Sequence, residues 1–183
     1  ILYLGRLAEE KNIEELIDFY NRLDMEKLKF ILVGGGPYLK DLKSYGEKIG
    51  KKIYFTGMVR PNEVNNYYRM ADAFVSASMS ETQGLTYYEA MSNGTLAICR
   101  KDLCLNDVII NDFNGYQYED FYDFKKDLEI IFSDKKKRDE LSKNAREYAL
   151  ENFSIDSFGK KCVNLYQEAI KIKKGRINEN SYL

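Results

Sequence analysis

Short, wholly apolar runs alternate with segments of helical period along most of this chain, and few folds accommodate that alternation. Ile1 to Leu4 reads as a buried strand, after which Ile13, Leu16, Ile17, Tyr20 and Leu23 recur at the spacing of one helix face. Phe30 to Val33 is a second strand, and Leu39, Leu42, Tyr45 and Ile49 mark the next helix. Ile53-Tyr54-Phe55, Ala73-Phe74-Val75 and Leu96-Ala97-Ile98 are further strands. One helix starts near Pro61 and another carries Leu85 to Met91. Strands this apolar are covered on both sides, so the pattern predicts an α/β fold, a parallel sheet with helices on both faces. Right-handed crossovers then gather every strand-to-helix loop at one edge, where such folds bind ligands.

Asn114-Gly115 turns the chain into Tyr116-Gln117-Tyr118, and from Asp120 onward the pattern is helical only. Asn12 is expected to cap the first helix, with Glu15 supporting its first turn, and Asp134 and Ser154 are expected to cap later ones. Phe158, Cys162, Leu165, Tyr166 and Ala169 form the apolar face of a last helix, and the polar stretch from Lys171 to Leu183 is expected to fray. The organisation expected is a ligand-binding domain over residues 1–150 and a C-terminal helix with a frayed tail over 151–183. The chain opens on a buried strand without a methionine, so a further N-terminal domain is expected to be missing from it.

Composition removes several classes of function. With 28 basic and 29 acidic residues the net charge is -1, so no global basic field gathers nucleic acid. There is no histidine, and the three cysteines, Cys99, Cys104 and Cys162, form no Cys-x-x-Cys pair. Neither a zinc site nor a disulfide framework is indicated, and buried free thiols in a cytoplasmic, reducing setting are expected. No apolar run reaches the ~20 residues needed to cross a bilayer.

The chemistry-bearing residues fall on the expected loops. Gly5-Arg6 opens the loop after the first strand and Lys11 follows five residues later, so glycine lets a ligand approach while two cations clamp a diphosphate. Two solvated surface charges fit that spacing equally. Gly34-Gly35-Gly36-Pro37 follows the second strand, either as simple turn chemistry or for close backbone approach to a nucleotide. Glu81 stands in the loop after the fourth strand, Gly84 opens a helix, and Glu89 lies more than a turn inside it. The free amides of Gly84, Leu85 and Thr86 at that helix start form an anion site by geometry and dipole. The flanking carboxylates suit hydroxyls on either side of the phosphate, or are simply acids favoured near a helix start. Lys135-Lys136-Lys137-Arg138 reads as a solvated face, with attraction to an anionic membrane as the alternative.

Taken in order, Gly5-Arg6 with Lys11, Gly34-Gly35-Gly36-Pro37, Phe55-Thr56-Gly57, Ala71-Asp72-Ala73, and Glu81 with Glu89 around Gly84-Leu85 resemble family-4 retaining glycosyltransferases. Ala90-Met91 and Gly94-Thr95 continue the likeness, which covers residues 1 to 150. The resemblance implies the Rossmann-like C-terminal half of a GT-B enzyme, followed by C-terminal helices. It implies that Arg6 and Lys11 hold the donor pyrophosphate and that Gly84 and Leu85 offer amides to phosphate and sugar. Glu81 is implied to read sugar hydroxyls and Glu89 the ribose, with Gly57 and Met58 bordering the base, uracil. No cofactor and no metal are expected.

Ser80-Glu81-Thr82-Gln83-Gly84-Leu85-Thr86-Tyr87 and Arg100-Lys101-Asp102 are most similar to bacterial diacylglycerol glucosyltransferases. That likeness implies UDP-glucose as donor and a diacylglycerol-like lipid or a glycan as acceptor, bound mainly by the missing domain. It also implies a cytoplasmic enzyme in peripheral contact with the inner face of the membrane. A non-catalytic nucleotide-binding or regulatory module of the same fold is the alternative, and the full set Arg6, Lys11, Glu81 and Glu89 argues against it.

Overall fold

The computed structural model describes residues 1–79, 81 and 84–180, with side chains of the last helix described as far as residue 173. Six strands form one sheet: β1 (Leu2–Leu4), β2 (Phe30–Val33), β3 (Ile53–Gly57), β4 (Ala73–Ser76), β5 (Leu96–Arg100) and β6 (Gly115–Tyr118). Their order is β3-β2-β1-β4-β5-β6, and every strand pairing is parallel. The helices α1 (Ile13–Arg22), α2 (Leu39–Gly46), α3 (Val64–Met70) and α4 (Leu85–Ser92) connect successive strands. After β6 come α5 (Phe121–Ser133), α6 (Lys135–Phe153) and α7 (Ile155–Asn180). This is the parallel α/β arrangement the alternation predicts, in the Rossmann-like form the resemblance implies.

The direction of winding assigns each helix to a face. From β1 the chain moves through β2 to β3, then returns past β1 to β4 and continues outward. Right-handed crossovers run in opposite directions lie on opposite faces. Accordingly, Ile13, Leu16 and Ile17 of α1 and Leu42 of α2 pack with Tyr3, Phe30 and Leu32. Tyr68 of α3 and Tyr87, Ala90 and Met91 of α4 pack with Leu2, Leu4 and Phe74 on the other side. Successive side chains of β1 alternate between these two cores, as the strand period requires. Phe124 and Leu128 of α5 complete the first core, while Ala145 and Ala149 of α6 complete the second.

Several local expectations are corrected. Asn12 precedes α1 with φ 49° and ψ 40°, and its side chain caps no amide. Capping needs an extended backbone that turns the side chain back over the first turn. Asp120, Asp134 and Ser154 do accept amide hydrogen bonds at the starts of α5, α6 and α7. Pro61 opens a short 3-10 turn, and the α-helix begins at Val64. Residue 150 falls inside α6, the break between α6 and α7 is at Ser154, and α7 is assigned as helix as far as Asn180. The apolar face of α7 forms as a helix face but is not buried: Phe158, Leu165 and Tyr166 are all about two-thirds exposed. Of the cysteines only Cys99 is buried, whereas Cys104 on the turn after β5 is exposed. In the basic run, Arg138 pairs with Asp72 at 3.2 Å and Lys137 donates to the Asp112 carbonyl at 3.1 Å. That half of the run serves the fold.

Asp127 on α5 is a buried carboxylate, and burial pushes its pKa from 3.8 up to about 7 against the opposing pull of Lys126. The folded state therefore holds a proton that the unfolded state releases first. Its contribution is present below pH 3.8 and is lost as pH rises through about 7. Tm is expected to fall over that window, and Asp127→Asn is expected to remove most of the fall. Melting both proteins at successive pH values checks this, and identical pH profiles refute it.

Candidate functional site

The sheet reverses its winding between β1 and β4, and ligands of open parallel sheets bind at such a reversal, beyond the carboxyl ends of the strands. β1 meets β4 in register at Leu2 and Phe74, and beyond that pairing the two strands lead into separate loops. Between them opens a cleft of about 230 Å³. Gly5, Arg6 and Lys11 line it from the first loop, Ser76 and Glu81 from β4 and its loop, and Gly84, Leu85 and Thr86 from the start of α4.

Gly84 is buried at φ 61° and ψ 38°, a left-handed conformation that turns the loop directly into the helix. Among the described residues no side chain caps α4, and the first amides of a helix are donors without a partner inside it. The helix dipole adds to them, and an anion is the natural occupant of that end.

Beside these amides lies a contact that residue spacing did not foresee. Lys11 Nζ donates to Glu81 Oε1 at 2.9 Å and to Ser78 Oγ at 3.3 Å. The side chains of this ion pair are only 23% and 13% exposed, which makes it more than a surface contact. The second cation of the β1 loop and the first glutamate, separated by 70 positions, are thus one unit. Arg6 is arranged differently. It points outward with a loose 3.7 Å contact to Glu10, both side chains being over half exposed, and such pairs contribute little.

Tyr3 forms part of the cleft and was read from sequence only as a strand residue. Its hydroxyl donates to the Arg6 carbonyl at 2.9 Å, which holds the loop against the strand. Burial first, then the charges of Glu81 and Glu10, push its pKa up, so it stays a neutral donor. The available signal was a polar-tipped ring in an otherwise aliphatic strand. Ser76 and Ser78, both buried at the end of β4, were also missed, and their hydroxyls in a strand end were the corresponding clue.

The remaining expected residues lie beside the cleft and not in its wall. A Cβ on Gly34 would stand 1.9 Å from the Gly5 carbonyl oxygen, so no side chain fits there. Close backbone approach is real at this loop, but the approaching backbone is that of the β1 loop. Gly5 donates to Val33, Leu7 to Gly35, and Gly34 to Gly57, which stitches three loops into one seam. Met58 packs its side chain over Gly35 and is otherwise exposed. Glu89 is exposed on α4 and accepts from the Tyr68 hydroxyl at 3.0 Å. Burial and this carboxylate push Tyr68 up, which keeps it a donor. Ser80, Thr82 and Gln83 of the diagnostic wording lie outside the described residues.

A larger cleft of about 960 Å³ opens at the opposite end of the sheet, beside Ile1, Leu28, Tyr54 and Met70. Its lining is mainly apolar, and it has no helix start with free amides, so it lacks the convergence of polar groups that fixes a ligand.

Comparison with known proteins follows the same direction. Residues 1–148 match the family described as glycosyl transferases group 1. The chain is 38% identical to an alpha-monoglucosyldiacylglycerol synthase of Streptococcus pneumoniae, over 93% of this chain and 39% of that protein. It is 31% identical to the synthase of the same name from Acholeplasma laidlawii, over 97% of this chain and 46% of that one. Among solved structures, Anabaena HepE in complex with UDP shares the fold with a TM-score of 0.82 at 19% identity, covering 91% of this chain and 48% of that one. The chain therefore spans less than half the length of these proteins.

The loop seam can be tested without any ligand. Gly34→Ala forces a methyl group onto the Gly5 carbonyl, and overpacking of this kind costs about 1–3 kcal/mol or more. A lowered Tm is expected, whereas Gly57→Ala meets no atom within 4 Å and suffers only its backbone strain. Equal losses for the two variants would show that backbone conformation, not contact, governs these glycines.

Proposed function

This chain belongs to the glycosyl transferases of group 1, and we propose on that premise that it is the donor-binding half of a retaining hexosyltransferase that uses a UDP-sugar. The observation that carries the reading is the meeting of Lys11, Glu81 and the open amide end of α4 in one cleft at the carboxyl edge of the sheet. A nucleoside diphosphate needs both a cation and aligned amide donors, and a sugar beside it needs a carboxylate to accept from its hydroxyls. In this reading Lys11, the α4 amides and, from the rim, Arg6 take the diphosphate. Glu81 takes the sugar, and Glu89, held by Tyr68, takes the ribose. Gly34, Gly35, Gly57 and Met58 border the base, with the seam keeping that wall narrow.

The chemistry follows from charge. When the bond from the sugar to the diphosphate breaks, negative charge grows on the leaving oxygen. Fixed donors already aimed at that charge stabilise it without reorganising. No divalent ion enters this reading. The donor and acceptor are proposed by likeness to the two alpha-monoglucosyldiacylglycerol synthases, so the hexose is glucose and the acceptor a diacylglycerol-like lipid. The acceptor would be held mainly by a domain outside this chain, and the whole enzyme would meet the inner face of the membrane peripherally. No helix among the described residues is long and apolar enough to cross a membrane.

Titration of the chain with UDP, uridine and UDP-glucose tests this reading. Lys11→Ala is expected to weaken UDP by about ten- to a hundredfold, the worth of one charge-assisted hydrogen bond, and to leave uridine unchanged. Arg6→Ala is expected to act in the same direction but less, because its side chain is over half exposed. Glu81→Ala frees Lys11, so UDP affinity should hold or rise while any preference for UDP-glucose over its epimer falls. A chelator should change none of these affinities. Absence of UDP binding by the folded wild-type chain, or a strict need for magnesium, would sink the proposal.

A further inference from the structure

Lys11 can serve a diphosphate only if the loop that carries it is held still, and the residue before α1 is not one that holds itself. Asn12 adopts a left-handed backbone, φ 49°, between the 3-10 turn Glu9–Lys11 and the helix. Such a conformation in a residue other than glycine persists where its surroundings impose it. The Asn12 amide donates to the Glu9 carbonyl, and its side chain meets Glu15, in the first turn of α1. Glu15 Oε2 accepts from Asn12 Nδ2 at 3.1 Å and from Arg100 Nη1 at 2.6 Å. Its Oε1 accepts from the Tyr118 hydroxyl at 3.0 Å, and that hydroxyl lies 3.3 Å from the Ser76 carbonyl.

Arg100 ends β5, Tyr118 ends β6 and Ser76 ends β4. One carboxylate thus ties the Lys11 loop to the ends of β5 and β6, and Tyr118 in turn reaches the end of β4. The Glu15 and Arg100 side chains are 18% and 29% exposed, so the contact is sheltered from solvent competition. Tyr118 is buried, and burial followed by the Glu15 charge pushes its pKa up, which preserves it as a donor. On its other flank the same helix turn is pinned by Glu14, which accepts from the Tyr38 hydroxyl at 2.6 Å.

We infer that Glu15 is a positioning residue of the donor site, fixing Lys11 through Asn12 and linking it to Arg100 and Tyr118. The inference rests on the donor-site reading above, because Lys11 is the group it serves. A brace that merely stabilised the fold would affect every ligand alike. A positioning residue affects only the contacts made through Lys11.

A double-mutant cycle separates the two. Glu15→Gln keeps the shape of the side chain and removes its charge. It is expected to weaken UDP roughly tenfold, at the low end for one charge-assisted hydrogen bond, with uridine unchanged. In a Lys11→Ala background the same substitution should change UDP affinity less than about twofold, since pairs acting as one unit are not additive. Tyr118→Phe, which deletes one hydroxyl from a buried ring, should act in the same direction more weakly and covers the case in which Glu15→Gln folds poorly. Amide exchange gives a readout free of ligand. The Lys11 and Asn12 amides, bonded to Ala8 and Glu9, should exchange faster in Glu15→Gln while the rest of α1 is unaffected. Equal losses for UDP and uridine, a full further loss in the Lys11→Ala background, or unchanged exchange at Lys11 and Asn12 each overturn the inference. If the wild-type chain binds no UDP the donor reading fails, and the exchange of these two amides still decides whether Glu15 holds the loop.

Discussion

The reversal of winding between β1 and β4 is the constraint on which the rest of this molecule depends. Because β2 and β3 lie to one side of β1 and β4 to β6 to the other, the loops after β1 and β4 diverge instead of covering each other. The same reversal sends α1 and α2 to one face and α3 and α4 to the other, so both faces of the strands are buried. A single handedness rule therefore makes the core and opens the cleft.

What fills the edge of that cleft is a set of charges that answer one another. Lys11 meets Glu81 beside the open end of α4, and Glu15 meets Arg100 a turn away. Pairs withdrawn from water in this way are poor sources of stability, because desolvation offsets most of their attraction. Their value lies in geometry. Each carboxylate holds a cation whose own chain is long and mobile, and each is itself carried on an element packed against the sheet. In an empty site the Lys11–Glu81 contact also keeps both charges satisfied. On the proposed reading, a diphosphate entering beside α4 would exchange one anionic partner of Lys11 for another, which costs less than desolvating a free ammonium.

The glycine seam does a complementary task with no charge at all. Gly5, Gly34, Gly35 and Gly57 bring three loops into backbone contact at the carboxyl edge. Three amide-to-carbonyl bonds join these loops, so the edge is held together without side chains to fill it. The cleft itself has Tyr3 and Ser76 along the strand ends, Gly5 and Lys11 on one side and the start of α4 on the other, with the rest of the seam beside it. That division separates what binds from what supports, and membership in the group 1 glycosyl transferases fits such an edge.

Much of this was readable from the chain alone. Strand and helix alternation reports burial on both faces, which is a property of each segment, so the parallel sheet, its covering helices and the loops that carry function could be named residue by residue. Gly84 at a helix start, with a glutamate on either side, likewise marks a candidate site from local chemistry, and the structure places Gly84 in the cleft. Other features depend on neighbours far along the chain. Asn12 has a capping side chain but a left-handed backbone, and that side chain meets Glu15 instead of an amide. The α7 periodicity foretold a helix but not that its apolar side would stay exposed. The pairing of Lys11 with Glu81, across 70 positions, and the placing of Glu89 on Tyr68 appear only once the strands are in order. Segment hydrophobicity and turn chemistry are local and so lie in the sequence. Which charge meets which is a matter of distance in space, and only the tertiary structure decides it.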